Sequence, residues 1–578
     1  MFRDSQNRRD IRYEPDEPCP TPLALGSALQ IFIPNTIGLV VLVALAVRAS
    51  GESEGYLSWA TFAALVVTGA SMVLQTLRVR YFGAGHLVVA NFNLPFLAIA
   101  ALALHLGGPG LLASLVVIST LVQSVLTLRL ASLRRVFTPT VSGVVVMLVA
   151  VSAMPFIISR VVIPPEGEST VLFLAPGLAG LVAGLPIALQ RQAGLRMWIL
   201  PVTVVVGLVV AVPLGFYDTE GIGDTPWVSV PHSGWPGLDL VFSADFWALL
   251  PAFVVVNLTG FMKTVGDLPV IHRASYRKPS AVDFRAVQGG LTVYGLGTFL
   301  SGLVGTLPVA APWSATVSYI GFTGVSARSV GVYLGLLTIL VAFSSKFIAI
   351  LAAIPSPIVS AVYVIIFGML FIEGAKTVFT DRVDQKKSTI TGVAMVMGLS
   401  AGALGGLFEG AAIHLVGNSI AVGGVVAIVM TIYTELSGSR PRKLRIELSQ
   451  ASLPAVDEFL SQFADRQSWT EEGKTRLRLV GEELMLSLLD EENVGPGEGK
   501  RRLVATIRAD GGEADLEVVV ASDDAIEGNI EDRMAYLGQD EALGDEEQLS
   551  VRILRHYASS VHHRKYYGID VVSCRVEK

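Results

Sequence analysis

The sequence predicts an α-helical polytopic membrane protein with a soluble α/β domain at its C-terminal end. Composition, the spacing of apolar stretches and the placement of positive charge each point there. Of 578 residues, 52% are hydrophobic and only 16% charged, with a mean hydropathy of +0.58. Soluble domains carry roughly a quarter charged residues. The charge is also uneven. Long stretches before about residue 437 have almost none, and the remainder is dense in Glu, Asp, Arg and Lys. The net charge of −6 therefore describes no single domain and indicates no nucleic-acid partner.

A helix needs ~20 largely apolar residues to cross the hydrocarbon core. Stretches of that kind lie at about 24–47, 56–76, 84–105, 108–128, 137–158, 170–189, 197–217, 246–270, 286–304, 308–325, 330–353, 357–378, 389–408 and 412–436, which predicts about 14 transmembrane segments. Loop charge agrees. The even-numbered spans end among Arg78 and Arg80; Arg129, Arg134 and Arg135; Arg191 and Arg196; Arg273, Arg277 and Lys278; Arg328; Arg382, Lys386 and Lys387; and Arg440, Arg442, Lys443 and Arg445. The opposite loops are nearly bare of positive charge, Arg160 being the main exception. By the positive-inside rule both termini are cytoplasmic, which places the chain in a cell (inner) membrane. The first twenty residues, MFRDSQNRRDIRYEPDEPCP, lack an apolar core, so no cleaved signal peptide is expected. Cys19 and Cys574 suggest neither a disulfide framework nor a metal site.

Four parts follow: an N-terminal tail 1–22, a membrane domain 23–437, a basic linker 438–446 and a cytoplasmic domain 447–578. Fourteen spans divide into seven and seven, and an odd number per half inverts one half relative to the other. In such 7+7 repeats a helix in each half is interrupted near the midplane, where substrate binds. The third span opens with GAGHLVVANFNLP and the tenth, third of its half, with GTLPVAAPWSATVS. Both mix small, polar and β-branched residues with Pro95, Pro308 and Pro312, so a paired break is predicted. Lys263 and Asp267 stand one turn apart in the eighth span and share a helix face. Ionisable residues within a span mark a pathway, a proton relay or a counter-ion, or else form a structural pair. Asn257, Glu373, Glu409, His414 and Asn418 read as packing or gate residues, and Lys346 as a snorkelling or structural charge.

Several segments resemble the uracil/xanthine permease (nucleobase–ascorbate transporter) family: YRKPSAVDFRAVQGGLTVYGLGTFLSGLVGTLP, TGVSARSVGVYLGLL, AAIPSPIVSAVYVIIFGMLF, GSALQIFIPN and VFTPTVSGVVV. The resemblance covers roughly residues 22–436. It implies fourteen spans in core and gate domains, and symport of a purine, pyrimidine or similar ring with H⁺ or Na⁺. Two positions depart from the family. Its eighth span carries a Glu three residues before a Gly, whereas FMKTVGD places Lys263 there, followed by Gly266 and Asp267. Its tenth span reads Asn-Thr-Thr-Tyr before a polar anchor, whereas VAAPWSATVS, with one inserted residue, leaves Ser314 or Ala315 at the anchor. The substrate-binding candidates are Lys263, Asp267, Gln30, Asn91, Ser314, Ala315 and Thr316, with Asp267 and His86 as coupling-ion candidates.

In the tail, 447–465 and 470–491 read as amphipathic helices, RRLVATIRA and ADLEVVVAS as an antiparallel strand pair, 548–562 as a helix and IDVVSCRVE as a last strand. RLRLVGEELMLSLLDEE resembles the Glu-containing helix of histidine-kinase-type ATPases of the anti-sigma-factor branch. Ser487 stands where that family has its Mg²⁺-binding Asn, and Asp523 and Asp524 lack the glycines of its nucleotide loop. A degenerate α/β sandwich that binds no ATP is expected, with a regulatory or protein-binding role. No nucleophile–base pair, metal cluster or phosphate loop is apparent, so neither enzymatic activity nor a cofactor is expected beyond the coupling ion. The expected partners are a small-molecule substrate, membrane lipid, a second copy in a homodimer and a cytosolic regulatory protein. A transporter-fold receptor signalling through the tail and an anion channel or exchanger are the competing classes.

Overall fold

A computed structural model describes residues 11–79, 82–127, 138–161, 164, 169–190, 193–196, 198–217, 222–223, 225–231, 234–238, 242–277, 284–313, 315–379, 385–405, 419–437, 441–490, 502–510, 513–521, 554, 556–566 and 569–578. They divide into a membrane unit and a smaller C-terminal unit.

Every one of the fourteen predicted spans contains a described helix. They are α1 (Thr21–Ser50), α2 (Glu54–Thr76), α3 (Phe96–Thr127, two spans joined at a kink), α4 (Pro139–Val161), α5 (Thr170–Ala188), α6 (Ile199–Ala211), α7 (Ala244–Ala274), α8 (Phe284–Leu303), α9 (Ala315–Thr323), α10 (Arg328–Ala342), α11 (Ser345–Ala352), α12 (Ser356–Val378), α13 (Gln385–Gly405) and α14 (Ser419–Ser437). Among the described residues, six helices are long and apolar enough to cross a membrane unaided, and the bent pair α10–α11 makes a seventh. The others are shorter, broken or more polar.

Local signals set the ends. Ser53 caps α2 by accepting from the Tyr56 amide, and Ser243 caps α7 by accepting from Phe246. Asp245 lies in the first turn of α7 and Arg273 in its last, each complementing the helix dipole. α1 ends at Gly51, whose φ of 81° is one that only glycine adopts freely. The kink in α3 falls at Gly107 and Gly108, immediately before Pro109.

The predicted paired break is present. Before α3 the chain runs extended as β1 (Ala90–Asn91), and before α9 as β2 (Ala311–Pro312). They pair antiparallel, Ala90 opposite Pro312 and Asn91 opposite Ala311. Trp313 N donates to Val89 O at 2.8 Å, and Asn93 N donates to Pro308 O at 2.9 Å. Residues 87–93 and 306–310 are buried throughout, the condition under which extended backbone survives at membrane depth.

The helices form two groups. α12 packs on α4, α5 and α6, and α13 on α4; α7 packs on α3, β2 and α9, and α10 on α1 and α2; α7 and α1 also touch α4, where the groups meet. Glycines set the closest crossings. A Cβ on Gly143 of α4 would stand 2.6 Å from Gly374 O of α12, and one on Gly374 would stand 2.8 Å from Gly143 O. These are the fifth spans of the two halves, so they meet as β1 and β2 of the third spans do.

One predicted span is corrected. The stretch 330–353 is not one helix: α10 and α11 meet at an 87° bend. Lys346 at the start of α11 explains the turn. Its Nζ donates to Gly223 O at 3.2 Å and lies 5.0 Å from the Trp227 ring centroid, so its charge is held outside the apolar run.

The C-terminal unit carries an antiparallel sheet in the order β3–β4–β5–β7–β6: β3 (Arg442–Glu447), β4 (Arg502–Asp510), β5 (Glu513–Ala521), β6 (Ser560–Tyr566) and β7 (Ile569–Glu577). Two helices, α15 (Leu453–Arg466) and α16 (Glu471–Asp490), pack on it. Leu460, Leu477 and Leu484 share one core with Ile507, Leu516 and Val572. The β4–β5 pair is as predicted. Residues 442–447, at the end of the basic stretch, form an edge strand on β4, so the first tail helix begins only at Leu453. The helix predicted over 548–562 is present at its described residues 554, 556 and 557, and only its last residues are corrected. From Ser560 the chain is strand β6, drawn into the sheet by β7, with Val561 opposite Cys574. Asp523 and Asp524 lie outside the described residues.

Candidate functional site

The described substrate-binding candidates lie on α1 (Gln30), β1 (Asn91), α7 (Lys263 and Asp267) and α9 (Ala315 and Thr316). Lys263 and Asp267 share one face of α7, Nζ lying 3.7 Å from Asp267 Oδ2. The structure adds a third group: Glu373 Oε1 of α12 lies 3.1 Å from Lys263 Nζ. The ammonium thus sits between two carboxylates, one on its own helix and one on the other helix group. The side chains of Lys263, Asp267 and Glu373 are 33%, 18% and 47% exposed, so the cluster opens outward and Asp267 is its most enclosed member.

The polar residues at the break are committed to holding it. Asn91 Nδ2 donates to Asn35 Oδ1 at 2.7 Å, and its Oδ1 accepts from Phe92 N at 2.6 Å. Asn35 Nδ2 donates back to Ala90 O at 3.3 Å. Thr316 Oγ1 donates to Trp313 O at 2.6 Å and accepts from Val89 N at 3.1 Å, joining the two breaks. A second network runs from Asn93 Nδ2 to Tyr294 Oη at 3.0 Å, on to Asn257 Oδ1 at 3.4 Å, and from Asn257 Nδ2 to Thr120 Oγ1 at 3.1 Å. Asn257, read from the sequence as a packing or gate residue, is thereby tied to α3 and α8.

The remaining candidates are dispersed. Ala315 is the first residue of α9, whose N-terminus follows β2 directly. Gln30 lines a cavity of about 350 Å³ together with Arg12, Ser27 and Thr323, a lining that includes neither Lys263 nor Asp267. His86 is buried before β1, its Nδ1 2.9 Å from Ala84 O and its ring edge-on to His272 at 5.4 Å. Ser314, Glu409, His414 and Asn418 lie outside the described residues. Sequence reasoning missed Asn35, Tyr294, His272 and the pairing of Glu373. Asn35 closes the GSALQIFIPN segment, and Glu373 is a carboxylate within an apolar span; both were visible signals.

Many apolar helices around paired, buried, extended breaks define a multi-pass membrane permease. The chain belongs to the xanthine/uracil permease family, whose model, described as "Permease family", matches residues 24–404. Xanthine permease XanQ of Escherichia coli K12 is 26% identical over 448 residues, covering 73% of this chain and 93% of XanQ. Uric acid permease PucK of Bacillus subtilis is 25% identical over 418 residues, covering 70% of this chain and 93% of PucK. The putative purine permease CPE0397 of Clostridium perfringens is 25% identical over 368 residues, covering 63% of this chain and 79% of that protein. Among solved structures, the transmembrane domain of the cyanobacterial bicarbonate transporter BicA aligns with a TM-score of 0.42 at 14% identity, over 71% of this chain and 97% of that one.

Proposed function

We propose that the protein is a secondary active transporter of a nucleobase-like purine or pyrimidine, driven by H⁺ or Na⁺. The observation that carries this reading is the Lys263–Asp267 pair on α7, in a fold whose β1–β2 break is built as in a midplane binding site, in a chain whose relatives are named for xanthine, uric acid and purine. Lys263 stands where the family has a Glu, so this site offers a donor cation to a ring oxygen. Asp267 is the natural proton or cation acceptor beside it, because binding of a proton or cation neutralises its charge and so changes the field at Lys263 directly. Arg- and Lys-rich loops on one side support a cell-membrane location with both termini cytoplasmic. The C-terminal unit, beyond the matched residues, serves as a regulatory or protein-binding domain.

Uptake into proteoliposomes tests the reading. Xanthine, urate or uracil should accumulate against its gradient under an imposed H⁺ or Na⁺ gradient. Lys263→Ala should abolish accumulation, and Asp267→Asn should leave exchange but remove coupling. Equilibration without accumulation, with any of the three bases, would exclude active transport. Unchanged uptake in both variants would remove the pair from the mechanism.

A further inference from the structure

We propose that Glu373 is a tethered competitor for substrate: in the empty protein its carboxylate occupies the place at the Lys263 ammonium that a substrate oxygen takes in the loaded one. This rests on Lys263 contacting substrate, as proposed above.

Three observations carry it. Glu373 Oε1 is closer to Lys263 Nζ than Asp267 is, 3.1 Å against 3.7 Å, so it is the nearer counter-ion although it comes from another helix. α12 packs on α4, α5 and α6, while α7 packs on α3, β2 and α9, so the ion pair joins the two helix groups. Glu373 is also the least enclosed of the three side chains, at 47% against 18% for Asp267, so protein packing constrains its carboxylate less than that of Asp267.

The chemistry follows from donor counting. An ammonium has three N–H donors and no acceptor. Glu373, at 3.1 Å, takes the donor a ligand would contest, while Asp267, at 3.7 Å, balances the charge as an ion pair without a hydrogen bond. A substrate presenting an anionic or carbonyl oxygen therefore binds by displacing Glu373, and Asp267 keeps the local charge balanced. Displacement also removes one of the links between the helix groups, beside the packing of α7 and α1 on α4, so occupancy bears on their relative freedom. Rebinding of Glu373 to Lys263 competes with the ligand and favours its release. A binding-competent fraction reduced by an internal competitor weakens apparent affinity by that fraction. A pair formed about 90% of the time weakens it about 10-fold.

The test measures binding of urate, a monoanion at neutral pH, and of xanthine to the full-length detergent-purified protein, alongside uptake in proteoliposomes. Glu373→Gln is expected to bind urate about 5- to 10-fold more tightly than wild type while turning over more slowly. Glu373→Asp keeps the charge but shortens its reach, and should fall between the two. It carries the test by itself if the Gln variant does not fold. Binding no tighter than wild type in either variant overturns the proposal and leaves Glu373 a structural ion pair. If Lys263→Ala abolishes binding while neither Glu373 variant tightens it, only this inference fails. If no base binds wild type or any variant, the nucleobase reading fails with it.

Discussion

The Asn91 amide nitrogen lies 2.7 Å from the Asn35 side-chain oxygen, and that bond fastens the third-span break to the first span. The same Asn91 accepts from the amide of Phe92. Its hydrogen-bonding capacity is therefore used in keeping β1 extended, with both partners buried. Asn91→Ala leaves the Asn35 oxygen and the Phe92 N–H without these partners, a cost of about 1–2 kcal/mol. A lower thermal midpoint of the purified protein, with uptake lost in proportion to folded protein, is the expected result. An unchanged midpoint would show that the break stands without this bond.

A second prediction concerns the α4–α12 crossing. Alanine is a better helix former than glycine by about 1 kcal/mol, so Gly→Ala in an open stretch of α12 should be neutral or stabilising. Gly368 is such a site, since a Cβ there meets nothing within 4 Å. At Gly374 a Cβ would stand 2.8 Å from both the Gly143 carbonyl oxygen and Met147 Cγ. Backbone cannot yield there without moving the helix, and overpacking costs about 1–3 kcal/mol. Gly374→Ala should lower the thermal midpoint while Gly368→Ala does not. Because Gly374 follows Glu373, the shifted α12 should also disturb urate affinity. Equal midpoints for the two variants would mean that this crossing has slack.

These relationships separate what the sequence could reveal from what it could not. Span number, the charge of the loops and the matching positions of the two breaks are local or periodic properties, and all could be read from residue order. The meeting of Lys263 with Glu373 is neither, because the two stand four spans apart and only tertiary packing brings them together. Asn91 was legible as a polar residue at a break. That its donors face Asn35 rather than the cavity depends on a register that no periodicity encodes. The bend between α10 and α11 hid because AFSSKF is apolar enough to continue a span, and only the partners of Lys346 reveal the turn. Strand β6 hid because a short edge strand is decided by its neighbour β7 more than by its own residues.

A third prediction uses the two thiols. Cys574 on β7 is buried against Leu516 and Val561, and its thiol is pushed up to about 12, first by burial and then by the charge of Asp515. Cys19 is partly exposed, and burial raises it too. Maleimide at about pH 8 should label one thiol in the folded chain and two after denaturation in detergent. The sign of the pH effect follows from the raised value. The neutral thiol is favoured in the folded state, so this contribution is intact below the unfolded thiol range, near 8.5, and is lost as pH rises toward 12. Cys574→Ala should flatten the alkaline limb of the C-terminal unit's unfolding. Rapid double labelling of the folded protein would contradict the burial.

A fourth prediction concerns the segment before α1. Arg277, just past α7, donates to both Glu17 oxygens at 2.6 Å and also to Ile11 O at 2.7 Å, and its own amide donates to Glu14 Oε1 at 2.9 Å. Asp16 pairs with Arg328 at 2.6 Å, and Tyr13 O accepts from Ser326. The segment is thus strapped to the ends of α7 and α10 by exposed charge pairs. Hydrogen bonding to Arg277 holds the Glu17 carboxyl below its ordinary range, with the Glu14 amide adding to it. A depressed folded-state value means that the stabilisation is present above the unfolded carboxylate range, and is lost as pH falls through the folded value. Salt should weaken the same contacts, because exposed pairs are screened within about a Debye length. Acidification or high salt should therefore speed proteolysis of residues 11–20 before the membrane unit unfolds. Glu17→Gln should make the strap labile at neutral pH and remove most of the acid dependence. If Arg277→Gln leaves the protease sensitivity and its pH profile unchanged, the strap is held by its backbone bonds to Gly324 and Ser326, and the charge pairs contribute nothing measurable.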